Sequence, residues 1–437
     1  MLLFYYLVLF ATMPRHRLVE TELFGLTLVK WVGALCFVYA FIRIATAKVA
    51  PNLVGSWQLR FSYLLFFFSA LSWALHSSAS GILFSPITAY ISFALLLFIA
   101  SVVVDNPNRL RRVVLLCLAS TALASVYVLR EFQKAGFQGR PGWIAGDSNY
   151  FGICAVLVIP VAFYLVRSGG GIWERRISLA TLGLVLPAFT VTSSRGAFMG
   201  LCVAASYGAL RSRNGLKDLI LLSIALIPLL VFLPSSPIER FLHPVRGDTE
   251  AVDIRETLWK AGLQMFEAHP IFGVGVGQFS SSIDEALADD LRHRYIAHNT
   301  YLEYAAEMGV VGLGLYGAVL VSCIYGFSRL RRLAALVKDR FWFSVALGSE
   351  CGILGYAVAA FFLSAEYQKL FWVFVSLSAI APAVVGRAMR AKARSGSGLC
   401  VDLEGGSALS TLAHAGKSPE ECNSKTFRLL QSSGRLA

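Results

Sequence analysis

The chain has 437 residues, of which 56% are hydrophobic and only 15% charged, and its formal net charge is +13. Soluble domains carry about a quarter charged residues, so this composition excludes a single soluble globule. Unbroken apolar runs such as residues 63–68 exclude the alternating pattern of a transmembrane β-barrel. The sequence therefore predicts an all-α, polytopic helical membrane protein.

Apolar segments that could cross a membrane follow one another along the whole chain. A bilayer core of roughly 30 Å requires about 20 helical residues. The first segment is short for that thickness, so the prediction is about 12 transmembrane helices, or about 11 if the first does not span. The segments lie at about residues 2–13, 23–42, 59–75, 82–104, 113–129, 149–166, 177–193, 196–210, 217–233, 300–327, 341–363 and 369–386.

Lysine and arginine are concentrated in alternate connections between these segments. Connections of this kind face the cytoplasm, so we expect this set and the C-terminus to be cytoplasmic. The positive net charge therefore comes mainly from residues that orient the protein in the membrane. It does not indicate a nucleic-acid partner, and none is expected. The basic clusters lie at residues 43–60, 109–112, 167–176, 211–217, 329–340 and 387–394.

The longest connection, residues 234–299, then lies outside the cytoplasm, between the ninth and tenth predicted spans. It is far longer than an ordinary helix connection. Residues 250–268 within it carry apolar side chains at helical spacing, which predicts an amphipathic helix lying on the membrane or on the bundle. These side chains are Ile254, Leu258, Ala261 and Met265.

The chain divides into two unequal parts by composition. Residues 1–394 are predicted to form the membrane domain. Residues 395–437 are rich in glycine, serine and other small residues, which is typical of a disordered tail, here on the cytoplasmic side.

Ligands for a metal ion or a cofactor are sparse in the predicted outer segments. Carboxylate pairs occur there only at Glu20 and Glu22 and at Asp289 and Asp290. Both pairs are more simply interpreted as surface carboxylates in contact with water than as metal ligands. No cysteines form a CxxC pair. The prediction is therefore that the protein uses no metal and no cofactor.

Two arginines stand out on the predicted outer side. Arg195 lies in a tight turn between two short spans, where a charged side chain should face protein or a water-filled cavity rather than lipid. The alternative is an arginine that extends to the lipid headgroups. Arg255 begins the predicted loop helix, and its planar guanidinium could bind phosphate oxygens in pairs. The alternative is a local ion pair with Asp253 or Glu256.

A histidine lies where the long loop re-enters the membrane. His298 can serve as a general base because histidine titrates near neutral pH. The alternative is an interfacial histidine bonded to a neighbouring backbone group. Asn299 and Glu303 follow one helical turn apart on the same face, which favours a functional site.

Two further features have competing structural explanations. Asp147 and Asn149 end an outer loop that also holds Arg140, where Asp147 or Ser148 could simply cap the next helix. The repeated glycines of residues 273–277 lack the strand and helix of a dinucleotide site, so a tight turn is the better interpretation.

Together, these motifs resemble the O-antigen ligase and polymerase superfamily of membrane glycosyltransferases. The resemblance covers about residues 60–385 and is strongest at 140–325. Its order, spacing and topology agree with the family. The motifs are Ser194-Arg195-Gly196, Arg255 with Trp259, the glycine-rich residues 270–277, His298-Asn299-Thr300-Tyr301-Leu302, and Glu307-Met308-Gly309 with Gly312.

The resemblance implies a multi-pass enzyme of the bacterial inner membrane that acts in polysaccharide or lipopolysaccharide biosynthesis. Its donor would be a glycan linked to undecaprenyl diphosphate, and its acceptor lipid A-core, another glycan or a protein. Arg195 and Arg255 match the family's functional arginines, which would stabilise the diphosphate leaving group. His298 matches the family's histidine, which would act as general base. The implied substrate-binding residues are Arg140, Asp147, Asn149, Asn299 and Tyr301, although Ser148 departs from the residues common at that position.

The expected reaction is metal-independent transfer to an acceptor hydroxyl with inversion at the anomeric carbon. A ligase and a repeat-unit polymerase of this superfamily differ only in the acceptor, and both remain open. The alternative from another class is a transporter or flippase for a lipid-linked sugar. It would use the intramembrane charges Lys30 and Glu350, which could pair with one another.

Overall fold

The computed structural model describes residues 1–10, 22–23, 26–46, 55–76, 86–137, 141, 148–168, 171–232, 246–283 and 297–394. Within these ranges the chain is helical apart from two strands of two residues each, β1 (Glu22–Leu23) and β2 (Leu26–Thr27), which pair antiparallel. The helices are α1 (Leu2–Phe10), α2 (Leu28–Ala45), α3 (Trp57–His76), α4 (Ile87–Val103), α5 (Pro107–Lys134), α6 (Ser148–Arg167), α7 (Ile172–Val191), α8 (Arg195–Arg211), α9 (Gly215–Phe232), α10 (Arg246–Ala268), α11 (Thr300–Leu336), α12 (Arg340–Ala359) and α13 (Lys369–Arg394).

Each apolar segment predicted to span the membrane overlaps one of these helices, and α10 is the additional one. The predicted segment 23–42 begins with the two short strands, so that α2 starts only at Leu28. By length and composition, six of the described helices could cross a membrane, which confirms an all-α membrane protein. The count of about 12 spans stays a prediction. The six are α2, α5, α6, α11, α12 and α13.

One end of the helical bundle is held together by ion pairs between the basic connections. Arg43 at the end of α2 binds Asp105 before α5, at 2.9 Å. Arg111 of α5 binds Glu174 of α7 and lies 4.3 Å above the Phe341 ring at the start of α12. These contacts place several of the basic connections at the same end, as the alternating charge pattern predicts.

The centre of the bundle is packed around α12, which lies against α6, α8 and α11. Small residues allow the helix backbones to approach closely, as is common between transmembrane helices. A Cβ on Gly200 would lie 2.4 Å from the carbonyl oxygen of Gly355, and one on Gly355 would lie 2.6 Å from that of Gly200. Substitution of either glycine would therefore push α8 and α12 apart.

The predicted loop helix is confirmed as α10, and it packs on the bundle. Leu258, Ala261 and Met265 are buried, as their helical spacing predicts. They form one apolar cluster with Leu302 and Ala306 of α11. The apolar face of α10 therefore lies against the helical bundle and not on the membrane surface, the other placement that the sequence left open.

Lys30 and Glu350, which could have paired within the membrane, do not do so. Glu350 is fully buried in α12 and binds Arg331 of α11 at 2.8 Å. Tyr207 of α8 donates a hydrogen bond to its second oxygen at 3.0 Å, while the Lys30 side chain is exposed. Glu350 therefore serves to join three helices, because a buried carboxylate requires partners of this kind.

Several predictions fall outside the described residues, among them those on the carboxylates Glu20, Asp289 and Asp290. The others are the disordered tail at 395–437 and the two binding residues Arg140 and Asp147.

Candidate active site

Arg195 is the first residue of α8 and follows a connection of only three residues after α7. The three residues, Thr192, Ser193 and Ser194, are all buried, and the Ser194 side chain caps α8 by accepting from the Ala197 N–H. Ser193 has a positive φ of 52°, which is uncommon outside glycine. The tight turn is therefore confirmed, and it leaves the Arg195 side chain partly buried at a helix N-terminus.

His298 lies two residues before α11 and also has a positive φ, of 49°. Asn299 caps α11, because its side-chain oxygen accepts hydrogen bonds from the N–H groups of Tyr301 and Leu302, both at 3.1 Å. Strained backbone conformations concentrate at functional sites. Two of the four positive-φ residues other than glycine in the described ranges belong to the Arg195 turn and to His298.

Residues 360–368, between α12 and α13, connect these two helix starts. The Thr300 N–H donates to the carbonyl of Ala360 at 2.9 Å, and the Thr300 hydroxyl donates to that of Leu363 at 2.7 Å. Gly196 packs against Phe362 so closely that an added Cβ would lie 2.7 Å from the Phe362 Cβ. The N-termini of α8 and α11 therefore meet on one segment.

Helix α10 brings Arg255 to the same end of the bundle. Trp259, one helical turn after Arg255, donates through Nε1 to the Ala297 carbonyl at 2.9 Å, next to His298. The Trp259 ring also contacts Phe361 with ring centroids 5.9 Å apart. Glu256 is paired with Lys260 at 2.8 Å, and its hydrogen bond to the Lys260 ammonium lowers the pKa of the Glu256 carboxyl.

The start of α6 completes this end of the bundle. Asn149 is buried there, and the neighbouring Tyr150 donates its hydroxyl to the Tyr367 carbonyl at 3.2 Å. Gln368 donates to the Tyr150 carbonyl at 3.1 Å. The segment 360–368 therefore contacts the helix starts next to Asn149, Arg195 and His298 as well as α10.

Tyr301 has a structural contact that explains its position. Its hydroxyl donates to the Ala357 carbonyl of α12 at 2.8 Å, and its ring lies 5.8 Å from that of Tyr316. Together with the capping by Asn299, this gives two of the proposed binding residues a clear role in holding α11. Their part in substrate binding stays a prediction.

Three buried carboxyl groups lie next to this site. Glu303 and Glu307 belong to sequence features described above, whereas Glu366 does not. Glu303 accepts a hydrogen bond from the Ser364 hydroxyl at 2.7 Å, and Glu307 accepts from the Phe279 N–H at 3.2 Å. One oxygen of Glu366 has no hydrogen-bond partner among the described residues. Burial, with the nearby charges of Glu303 and Glu307, raises the pKa of Glu366 well above its usual range.

The described residues contain no group of three or more His, Cys, Asp or Glu side chains arranged to hold a metal ion. The positive groups at the site are two partly buried arginines, Arg195 and Arg255, and the helix N-termini. Both kinds of group stabilise anions. The arrangement is therefore suited to bind a phosphate or diphosphate group.

Residues 178–317 match the sequence model of the O-antigen ligase family. This match confirms the resemblance, and it includes Arg195, Arg255 and His298. Comparison with curated proteins gives no significant match. The family match supports a membrane enzyme of the O-antigen ligase or polymerase type.

Sequence reasoning missed the 360–368 segment altogether. Its signal was present, because Ser364, Glu366 and Gln368 interrupt an otherwise apolar stretch between the last two predicted spans. The predicted span 341–363 extended into this segment, whereas α12 ends at Ala359. These polar residues follow α12 at the end of the bundle where α10 packs, and they indicated that the segment belongs to the candidate site.

Proposed function

We propose that this protein is a glycosyltransferase that moves a glycan from undecaprenyl diphosphate to an acceptor hydroxyl on the periplasmic face of the bacterial inner membrane. The observation that supports this most is the meeting of the Arg195 turn, the Arg255 helix and His298 on residues 360–368. These are the three residues that match the functional residues of the family.

The chemistry follows from the positions of these groups. Cleavage of the anomeric bond places negative charge on the departing diphosphate. Arg195 and Arg255, with the N-termini of α8 and α11, stabilise that charge where water is scarce. His298, when neutral, accepts the proton of the attacking hydroxyl. Direct attack opposite the leaving group inverts the anomeric carbon.

The donor and acceptor reach this site from the periplasmic side. About 12 spans, with the basic clusters inside and the 234–299 loop outside, place the helix starts of α6, α8 and α11 at the outer surface. We further propose that Asn149, Asn299 and Tyr301, together with Arg140 and Asp147, take part in binding the substrates, and that residues 395–437 are a cytoplasmic tail.

Cysteine accessibility tests this topology. We expect a membrane-impermeant thiol reagent to label Ser281→Cys in intact spheroplasts and to label Asn214→Cys only after permeabilisation, since the two exposed positions lie on opposite sides. The background should carry serine at Cys202, Cys400 and Cys422 to remove other reactive thiols. Labelling of Asn214→Cys from outside would contradict the topology.

Chelation tests the metal-independent mechanism. We expect purified protein in lipid nanodiscs to transfer glycan from its lipid-linked donor at an unchanged rate in excess chelator, because two arginines supply the positive charge. A loss of activity that magnesium or manganese restores would contradict this, and would direct attention to Glu20, Glu22, Asp289 and Asp290.

Ligase and polymerase activities differ in their effect on surface glycan. Deletion of a ligase would leave lipid A-core without its glycan, whereas deletion of a polymerase would leave it with single repeat units. A ligase is the function we propose, because the matching family model is that of O-antigen ligase.

A flippase for a lipid-linked sugar is the weaker alternative. It would depend on charges deep in the membrane, and the strongest candidate, Glu350, is already engaged by Arg331 and Tyr207.

A further inference from the structure

The proposed reaction gives no role to the glycine-rich segment, residues 270–279. This segment follows α10 directly and lies against α11 where that helix is interrupted at Gly309, whose φ of 63° and ψ of −163° are not helical. In a regular helix the Val310 N–H would bond to the Ala306 carbonyl. Here Val310 donates to Pro270 at 2.8 Å, and Ala306 accepts from Val274 at 2.9 Å. The segment therefore satisfies the groups that the helix break exposes.

The two backbones touch because glycine stands on both sides. A Cβ on Gly273 would lie 2.2 Å from the carbonyl carbon of Glu307. A Cβ on Gly309 would lie 2.3 Å from the carbonyl carbon of Ile271. No side chain fits at either position, so the contact requires both glycines.

Glu307 adds a side-chain contact to this junction. It is 6% exposed, its backbone carbonyl accepts from the Gly275 N–H at 2.9 Å, and its carboxylate accepts from the Phe279 N–H. The backbone of Gly277 also interacts with this carboxylate. A single residue of α11 therefore holds the segment at several points.

The same segment fixes the position of α10. The Phe279 ring is buried in the apolar cluster that joins α10 to α11, and a Cβ on Gly262 of α10 would lie 3.1 Å from that ring. Arg255 lies two helical turns before Gly262 on α10. A displacement of the Phe279 backbone would therefore move the helix that carries Arg255.

We propose that Glu307 is a positioning residue that holds Arg255 in the active site by anchoring residues 270–279 to α11. The role of Arg255 rests on the proposed function, whereas the anchoring contacts do not. Glu307 acts through the segment and α10.

Hydrogen exchange measures the anchoring without any activity assay. In Glu307→Ala we expect the amides of residues 275–279 and of α10 around Arg255 to exchange roughly 10- to 100-fold faster, because backbone hydrogen bonds to a buried carboxyl group are lost. Glu307→Gln keeps an acceptor oxygen and should restore protection. Glu267→Ala, on the exposed side of α10, is the matched control and should leave exchange unchanged.

A double-mutant cycle tests whether the anchoring acts through Arg255. We expect Glu307→Ala to lower kcat/KM for the lipid-linked donor roughly 10- to 100-fold in the wild-type background and to have little further effect in Arg255→Ala. If the alanine variant does not reach the membrane, Glu307→Asp should give a smaller change of the same kind in both measurements.

Unchanged hydrogen exchange in Glu307→Ala would overturn the anchoring. If Glu307→Ala lowered kcat/KM by the same factor in the Arg255→Ala background as in the wild type, its action through Arg255 would be overturned. An inactive wild-type protein, with exchange still faster in Glu307→Ala and unchanged in Glu267→Ala, would instead overturn the proposed function and leave the anchoring in place.

Discussion

Replacement of His298 by glutamine is expected to lower the single-turnover rate of glycan transfer roughly 10²–10⁴-fold while donor affinity stays near the wild-type value. Glutamine keeps a hydrogen-bonding side chain but cannot accept the proton of the acceptor hydroxyl. Donor binding depends on the arginines, which this change does not touch. The measurements are donor affinity and single-turnover rate at equal amounts of folded protein.

The backbone at His298 requires a second variant as a control. Its φ of 49° is unfavourable for most residues, and asparagine tolerates that region better than glutamine does. His298→Asn should therefore keep the loop conformation and still lack a base, so both variants should be slow. Near-normal turnover in either variant would show that His298 only positions the acceptor or shapes the loop.

Arg195→Lys is expected to weaken donor binding and to slow the chemical step roughly 10²–10³-fold, although the charge is kept. Lysine lacks the planar pair of donors that can bind two diphosphate oxygens at once. Arg255→Lys should show a loss of the same kind. The two variants are compared by donor affinity and by single-turnover rate.

Arg130→Lys is the matched control for these changes, because Arg130 is exposed near the end of α5. It should leave both quantities near the wild-type values. Wild-type rates in Arg195→Lys would mean that a point charge is sufficient and that paired hydrogen bonds to the diphosphate make no contribution.

The elements that were predicted from sequence are those with a simple local pattern. Long apolar runs predicted the helices of the bundle, and the spacing of Leu258, Ala261 and Met265 predicted α10. The turn at Arg195 followed from the short distance between two runs. In each case the pattern of neighbouring residues is enough to determine the local structure.

The missed features depend on contacts between distant parts of the chain. The break at Gly309 is invisible in an apolar helix pattern, since it is stabilised by residues 270–275. The importance of residues 360–368 arises from contacts with Tyr150, Gly196 and Thr300. Such pairings are tertiary, and spacing along one sequence does not reveal them.

The proposed transfer reaction is tested most directly in proteoliposomes that contain the purified protein and a fluorescent undecaprenyl-diphosphate-linked glycan. The measurement follows, in one sample, the release of free undecaprenyl diphosphate, the attachment of glycan to added lipid A-core, and the leaflet in which intact donor resides. We predict release and attachment at equal rates, no movement of intact donor between leaflets, and loss of both products in the Arg195, Arg255 and His298 variants. Movement of intact donor without release of diphosphate would contradict a transferase and identify a flippase.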